Sequence, residues 1–223
     1  EKSRVIRISE EKDISIELEN GVKLNSKYAV IGCNGYIGRL DKRISSWIMP
    51  INNYILATEP LDEKLARRLI RDDVAVHDSK FVVNYFRLSS DSRLLFGGGE
   101  SYRYRFPLSI TKKAHVPMLK VFPYLKDIKV DYAWGGTLAV TQNRLPSFRR
   151  VGRNIFSASG YSGHGVAMAT FAGKILAEAI SGQAEKFDIM ASLPQLKFPG
   201  GHLMRWPLLV LGMSYYALKD KLP

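Results

Sequence analysis

The stretch NIFSASGYSGHGV at residues 154–166 decides the fold of this chain. An apolar, strand-like run around Ile155 and Phe156 leads into a turn rich in glycine and serine, and an amphipathic helix pattern follows over residues 166–180. Strand, turn and helix N-terminus together present backbone N–H groups and the positive end of a helix dipole. Glycine lets the main chain approach a flat or anionic group closely. The stretch therefore predicts part of a cofactor site.

The turn supplies the first candidates for cofactor contacts. They are Gly160, Tyr161, Ser162, Gly163, His164 and Gly165. Ser162 is expected to be the helix N-cap, because serine is a preferred N-cap residue and the Gly-x-Ser-x-Gly pattern of a nucleophilic serine is absent. His164 has two interpretations: it polarises a ligand, or it hydrogen-bonds to neighbouring backbone.

A second apolar segment, YAVIGC at residues 28–33, is continuously hydrophobic, as strands of a parallel sheet tend to be. It ends in Asn34 and Gly35. Ligands of open α/β sheets bind beyond the carboxyl ends of such strands, so both residues are further candidates for cofactor contacts. The alternative is a simple turn that ends the strand.

The remaining patterns predict an α/β fold of mixed character, in which a strand-rich middle domain is inserted into an α/β domain. A hairpin is expected over residues 1–27, with a turn at Asn20-Gly21. Strands are expected at 47–56, 81–88, 93–96 and 131–140, with Gly97–Gly99 closing a hairpin. Helices are expected at 62–70 and 107–122, the second interrupted or bounded by Pro117. The predicted domains are 1–36 with 137–183, then 37–136, and a helical tail at 184–223.

Composition limits the classes of function. The chain has 223 residues, 46% of them hydrophobic, a single cysteine and a net charge of +12. Its basic residues are scattered and accompany no nucleic-acid-binding motif, so a nucleic-acid partner is not expected. Four dispersed histidines and one cysteine give no metal signature. One cysteine fits a reducing compartment and predicts a cytoplasmic location. The apolar tail at 203–218 is expected to pack on the protein rather than on a membrane.

Four residues of the middle region are candidates for substrate contacts: Tyr54, Tyr85, Arg87 and Trp134. Aromatic side chains beside an arginine suit an organic substrate that carries a carboxylate. Any one of them is also explained as an ordinary structural residue. No catalytic residue is assigned from these patterns.

The ordered segments together resemble the FAD-dependent D-amino-acid oxidase superfamily, over nearly the whole chain. The matching segments are VIGCNGY at 30–36, RLLFGGG at 93–99, YAWGG at 132–136, RLP at 144–146, GYSGHG at 160–165 and AGKILAE at 172–178. The tail, with FPGG at 198–201 and YY at 215–216, resembles a branch that acts on gamma-glutamylputrescine.

The resemblance implies an FAD enzyme that oxidises the C–N bond of an amine, with an antiparallel or mixed-sheet substrate domain inserted into part of an FAD-binding Rossmann-like domain. Hydride transfer from a neutral amine needs no general base, so the resemblance leaves the catalytic residue unassigned. In such enzymes a hydride equivalent passes to the flavin, the imine hydrolyses, and O₂ or another acceptor reoxidises the flavin. The helix after Ser162 would direct its N-terminus at the flavin's pyrimidine edge, and Asn34 and Gly35 would lie beside the cofactor. An amino-acid or N-methyl-amino-acid oxidase, or a non-catalytic module that has lost FAD, are the alternatives.

Two departures from the superfamily pattern qualify this expectation. The Gly-x-Gly-x-x-Gly segment that holds the FAD pyrophosphate is absent, so the chain is expected to be the C-terminal half of a longer protein, inactive alone and partnered by its N-terminal half. Relatives that bond flavin covalently use a cysteine, but Cys33 lies in a different strand. FAD is therefore expected to bind non-covalently. The segment 95–99 lacks the oxygen-activating lysine of some relatives, which leaves the electron acceptor open.

Overall fold

The computed structural model describes residues 1–80, 83–101 and 105–219. The strands are β1 (Val5–Glu10), β2 (Ile14–Leu18), β3 (Lys23–Ser26), β4 (Ala29–Ile31), β5 (Met49–Pro60), β6 (Val76–His77), β7 (Tyr85–Leu88), β8 (Arg93–Ser101), β9 (Val130–Val140), β10 (Ser147–Arg150) and β11 (Ile155–Ser159). The helices are α1 (Lys42–Ser45), α2 (Glu63–Leu69), α3 (Ile110–Val121), α4 (Gly165–Ile180), α5 (Glu185–Ser192) and α6 (Gly201–Lys219), with 3-10 turns at Asn34–Tyr36 and Pro123–Leu125. This mixture of helices with three sheets confirms the predicted α/β class.

The chain forms two compact units. Unit 1 comprises Glu1–Pro50 and Leu138–Arg205, and unit 2 comprises Ile51–Thr137 together with the described chain from Trp206 onward. The sequence-based boundaries differ from this division in two places. Residues 37–50 group with unit 1, and the predicted tail is divided, with residues 184–205 in unit 1 and the described residues from 206 onward in unit 2. For residues 37–50 the reason is packing: Ile37, Ile44 and Ile48 are buried in the same cluster as β4.

Unit 1 contains two three-stranded sheets. One is the antiparallel sheet β1-β2-β3, whose turn at Gly21 was predicted. The other has the order β10-β11-β4, with β10 antiparallel and β4 parallel to β11. All five residues of β11 are buried: Ile155 belongs to the cluster on one face, and Phe156 packs with α4 and α5 on the other. The burial of both faces accounts for the apolar residues Ile155, Phe156 and Ala158 of this strand.

Unit 2 is built on a five-stranded sheet with the order β6-β7-β8-β5-β9. Its core lies between one face of the sheet and the helices, where Phe86, Phe96 and Phe122 make aromatic contacts. Residues 81 and 82 of the predicted strand at 81–88 lie outside the described part of the chain, and the described strand begins at Tyr85.

Two predictions about this unit were wrong. Gly97–Gly99 does not close a hairpin but lies inside β8, where the pairing with β5 shifts register. Pro117 does not end its helix, because α3 continues to Val121. Proline offers no N–H to the carbonyl of Lys113, and Gly99 packs directly against that carbonyl and the Pro117 ring. The glycine gives the helix room against the sheet.

Candidate functional site

The two segments predicted to contact a cofactor meet at one edge of the β10-β11-β4 sheet. Strands β4 and β11 are parallel, with Ala29 opposite Ile155 and Ile31 opposite Ser157. The Ser157 hydroxyl donates to the Ile31 carbonyl at 3.0 Å and fixes this register in the core. Because parallel strands end at the same edge of a sheet, the residues after β4 and those after β11 are neighbours.

A hydrogen bond joins the two segments directly. The side-chain oxygen of Asn34 accepts from the backbone N–H of Gly160 at 3.1 Å. Asn34 adopts a left-handed conformation, with φ of 47°, and begins the 3-10 turn in which Gly35 is buried. Asparagine tolerates this region better than most residues. Asn34 therefore shapes the strand end and holds the glycine turn against it.

Gly160 is required by both its conformation and its surroundings. Its φ is +72°, and an added Cβ would lie 2.6 Å from Cγ2 of Thr141 and 3.2 Å from Cγ2 of Ile48. The first distance is shorter than real Cβ contacts allow, and the second would require the Ile48 side chain to shift. The chain can make this turn after β11 only with glycine.

Ser162 has a different role from the predicted one. The residue at the N-cap of α4 is His164, which makes no side-chain capping bond, so the assignment of Ser162 as N-cap was wrong. Ser162 has φ of 52°, and its N–H donates to the Ala139 carbonyl at 2.9 Å. Its hydroxyl accepts from the N–H of Thr141 at 3.2 Å. Ser162 therefore ties the turn to the end of β9.

The start of α4 is open. Gly163 and His164 are exposed, and nothing lies within 4 Å of a Cβ built on Gly163. The first turn of the helix contains no acidic residue, and its N–H groups receive no bond from the N-cap side chain. This helix of 16 residues therefore presents the positive end of its dipole to an open space. The arrangement suits a polar or anionic edge of a ligand.

Two titratable side chains close to this turn, Tyr161 and Cys33, have raised pKa values. Tyr161 is half-buried, and burial raises the pKa of its phenol, which donates to the Ala158 carbonyl at 3.1 Å. Cys33 is exposed as a residue, but partial burial of its thiol raises its pKa. A protonated thiol is a poor nucleophile. Burial therefore favours the neutral form of both side chains.

The substrate candidates of unit 2 fall into two groups. Tyr54 is fully buried in the core; burial raises the pKa of its hydroxyl, and the nearby polar side chains of Ser101 and Asn52 offset part of that shift. Tyr85 and Arg87 instead alternate with the core residues of β7 and lie on the other face of the sheet. The structure thus separates the rings of Tyr54 and Tyr85.

The Tyr85 ring lies over Gly97, and its hydroxyl donates to the side-chain oxygen of Asn53 at 2.6 Å. Sequence reasoning did not single out Asn53, because no local pattern links it to Tyr85. Trp134 is 45% exposed and alternates with Ala133, which packs on the core, so it shares the face of Tyr85. Three strand spacings separate β7 from β9, so the two residues lie at least about 14 Å apart.

Within the described ranges, no group of three or more histidine, cysteine, aspartate or glutamate residues is placed to hold a metal ion. None of the helices in that same part of the chain is long and apolar enough to cross a membrane.

Comparison with known proteins identifies the family. Residues 1–179 match the family model described as FAD dependent oxidoreductase. The chain belongs to this family. The superfamily resemblance and the FAD cofactor predicted from the sequence are thereby confirmed. Gamma-glutamylputrescine oxidoreductase of Escherichia coli K12 is 40% identical over 90% of this chain and 47% of its own length. The probable oxidoreductase OrdL of Rhizobium meliloti is 39% identical over 93% of this chain and 48% of its own length.

Solved structures share the fold. Glycine oxidase from Geobacillus kaustophilus matches 88% of this chain and 53% of its own, with a TM-score of 0.69 and 17% identity. L-proline dehydrogenase from P. horikoshii matches 84% of this chain and 51% of its own, with a TM-score of 0.65 and 21% identity. The chain spans about half the length of the curated relatives it matches.

Proposed function

We propose that this chain is the C-terminal half of an FAD-dependent oxidoreductase that oxidises a C–N bond of an amine such as gamma-glutamylputrescine. One observation carries the choice of substrate: the 40% identity, along 90% of the chain, to a protein named gamma-glutamylputrescine oxidoreductase. Identity at that level extends across both units, so it includes the turn at Gly160–Gly165 and the exposed sheet face of unit 2.

The turn in unit 1 fits the ring system of a flavin. A flat, polar ring edge needs an open approach and hydrogen-bond donors, and the start of α4 offers both through Gly163 and its uncapped N–H groups. FAD, when bound, accepts the hydride equivalent that leaves the amine. The N-terminal dipole of α4 then favours the negative charge that reduction brings to the ring. Asn34 and Gly160 hold this N-terminus in position through their hydrogen bond.

The binding of FAD is proposed to be non-covalent. Cys33, the single cysteine of the chain, has a raised pKa and follows β4 rather than lying in the turn.

The Gly-x-Gly-x-x-Gly clamp for the pyrophosphate is proposed to lie in the half of the relatives' length that this chain does not span. The chain alone would then neither retain FAD nor turn over, and a cytoplasmic location remains part of the same proposal.

Unit 2 is proposed to bind the amine on the exposed face of its sheet. Arg87 is exposed at this face and would pair with the carboxylate of a gamma-glutamyl group. Tyr85, fixed by its bond to Asn53, and Trp134 would contact the aliphatic part of the substrate. The separation between β7 and β9 favours an extended molecule over a small amino acid. Tyr54 would support this surface from the core.

A chimera tests the proposed function. This chain replaces the matching stretch of 201 residues in the E. coli relative, which supplies the remaining half of the flavoprotein. Flavin content is measured from the absorbance of the purified protein, and the bleaching of the flavin is followed without oxygen. We expect gamma-glutamylputrescine to bleach the flavin faster than sarcosine, glycine or D-alanine does. The parent E. coli enzyme is the matched control.

Each of the other outcomes of the chimera experiment favours or excludes one of the alternative functions. Faster bleaching by sarcosine, glycine or D-alanine would favour the alternative of an amino-acid or N-methyl-amino-acid oxidase. A folded chimera that retains FAD but bleaches with no amine would overturn both oxidase proposals. A folded chimera without FAD would favour the non-catalytic module.

A further inference from the structure

A segment of the tail, residues 193–198, lies against the loop between β9 and β10, and we call this segment the strap. It forms part of the irregular connection between α5 and α6. Side chains of the loop hold its backbone: Gln142 donates to the Lys197 carbonyl at 3.0 Å, and Asn143 donates to the Pro194 carbonyl. The match to the family model ends at residue 179, before the strap.

Gln195 joins the strap to the far end of the loop. Its Nε2 donates to the carbonyls of Pro146 at 2.9 Å and of Leu145 at 3.1 Å. Its Oε1 accepts from Nη2 of Arg149 at 2.7 Å. The guanidinium carbon of Arg149 in turn lies 3.5 Å from the centroid of the Trp47 ring, and such stacking restricts a guanidinium to one orientation. Both ends of the Gln195 amide are therefore held.

The carbonyl of Leu145 connects Gln195 with Thr141. It accepts a second hydrogen bond, from the Thr141 hydroxyl at 2.8 Å. Thr141 is buried, and its N–H donates to the Ser162 hydroxyl at 3.2 Å. That hydroxyl donates to the Gly160 carbonyl, also at 3.2 Å. A continuous series of hydrogen bonds thus leads from the strap to the turn that precedes α4.

Thr141 also packs directly on this turn. Its methyl carbon Cγ2 lies where a side chain on Gly160 would project, 2.6 Å from a Cβ built there. Because packed interiors have little free space, a displacement of Thr141 displaces the turn as well. Packing and hydrogen bonding therefore connect the same two places.

We propose that Gln195 is a positioning residue for the flavin site, acting through Thr141 to set the position of the α4 N-terminus. This inference rests on the proposed function, in which that N-terminus meets the flavin ring. The dipole of α4 favours the negative charge of a reduced flavin. A less well fixed N-terminus therefore weakens the binding of reduced FAD more than that of oxidised FAD, and the midpoint potential of the bound flavin measures this difference.

The first test measures that midpoint potential in the chimera, by reduction against a reference dye. Gln195→Ala should lower the potential, with the affinity for reduced FAD falling at least threefold more than the affinity for oxidised FAD. Gln183→Ala, which shortens an exposed glutamine of the same unit, is the matched control and should leave the potential unchanged. A Gln195→Ala chimera that loses stability but keeps its potential would show a structural role alone and overturn the proposal.

A carboxylate at position 195 separates the two sides of the amide. Gln195→Glu keeps an acceptor for Arg149 but loses the N–H donors to the loop carbonyls. It should therefore lower the potential at least as much as Gln195→Ala does. A potential equal to that of the unsubstituted chimera would mean that only the bond with Arg149 matters, which contradicts the connection through Thr141.

A second measurement does not require flavin. Hydrogen exchange at the amides of Thr141 and Ser162 is followed in the chimera, and Gln195→Ala should accelerate both at least fivefold. Gln183→Ala should change neither. Thr141→Val keeps the shape of the side chain but loses the hydroxyl, so adding Gln195→Ala to it should have little further effect at Ser162. Additive effects of the two substitutions would show that they act independently and would exclude the connection.

The two proposals fail in different ways. A chimera that retains FAD but oxidises no amine contradicts the proposed function, while its potential still tests Gln195. An active chimera whose potential and Ser162 exchange are unchanged by Gln195→Ala contradicts the positioning role alone. In a folded chimera without FAD, faster exchange at Ser162 would support the connection but contradict its role at a flavin, and unchanged exchange would contradict both.

Discussion

The side-chain oxygen of Asn34 accepts a hydrogen bond from the backbone N–H of Gly160 at 3.1 Å, across 126 residues of sequence. This bond connects the end of β4 with the turn that precedes α4. Both residues were candidates for cofactor contacts, and their contact follows from the parallel pairing of β4 with β11. The position of the α4 N-terminus therefore depends on the strand end as much as on the turn itself.

Removing the Asn34 side chain should loosen unit 1. Asn34→Gly loses the hydrogen bond but keeps the left-handed conformation, and should lower the free energy of unfolding by about 1 kcal/mol. Asn34→Ala also carries the cost of that conformation and should lower it by about 2 kcal/mol. Urea unfolding, followed by Trp47 fluorescence with Trp134 and Trp206 replaced by phenylalanine, measures both. Equal losses would show that the backbone conformation of Asn34 carries no cost.

Gly160 and Gly163 form a matched pair in the same turn, since both have positive φ but only Gly160 is tightly surrounded. Gly160→Ala should destabilise unit 1 by about 2–4 kcal/mol, because strain and overpacking add. Gly163→Ala should lower the free energy of unfolding by only about 1 kcal/mol. Urea unfolding followed by Trp47 fluorescence, as for the Asn34 variants, compares the two glycine variants. In the chimera, Gly163→Ala should also weaken FAD retention, because the methyl group enters the proposed flavin space.

Sequence patterns predicted the secondary-structure elements of this site better than the hydrogen bonds between those elements. The strand and helix around residues 154–180 and the turn at Gly21 follow from local periodicity and glycine placement, and the structure has them. Ser162 shows what local patterns do not predict. Its hydroxyl is held by Thr141, 21 residues away, and no local propensity reports a bond of that kind. Its left-handed backbone excludes the N-cap role that its residue type favours.

The same limit applies to the substrate candidates. Alternation along one strand places Tyr85 and Arg87 on a common face, but it cannot place that face relative to β5 or β9. Strand order decided that Tyr54 belongs to the core and that Trp134 lies three strands from Tyr85. Pro117 was misjudged for a related reason, because the glycine that accommodates its helix lies on another element.

Ser162→Ala should expose the dependence of the turn on β9. The buried N–H of Thr141 loses its hydroxyl acceptor, at a cost of about 1–3 kcal/mol. Hydrogen exchange at the Thr141 amide should accelerate more than tenfold. Ser192→Ala, which removes an exposed hydroxyl on α5, is the control and should leave the stability of unit 1 within about 0.5 kcal/mol. Unchanged exchange at Thr141 would mean that the hydroxyl does not support this strand end.

Unit 2 should lose stability in acid through Asp131. Arg93 donates to its carboxylate at 2.7 Å, Lys129 lies 3.1 Å away, and together they lower its pKa. A group whose pKa is lower in the folded state stabilises above its ordinary pKa of about 3.9, and the contribution is lost as pH falls through the folded value. Hydrogen exchange of β8 and β9 between about pH 5 and pH 2 should follow this loss. Asp131→Asn should flatten the dependence, whereas Asp127→Asn at an exposed position should not.

Arg87 should distinguish substrates by their carboxylate. In the chimera, Arg87→Gln removes a charge-assisted pair proposed for the gamma-glutamyl group and should raise KM for gamma-glutamylputrescine about tenfold or more. The KM for N-methylputrescine, which has no carboxylate, should stay within twofold, and Arg87→Lys should restore part of the loss. Arg71→Gln removes an exposed arginine of the same unit and serves as the control. A rise in KM for both amines would show that Arg87 shapes the surface rather than recognising the carboxylate.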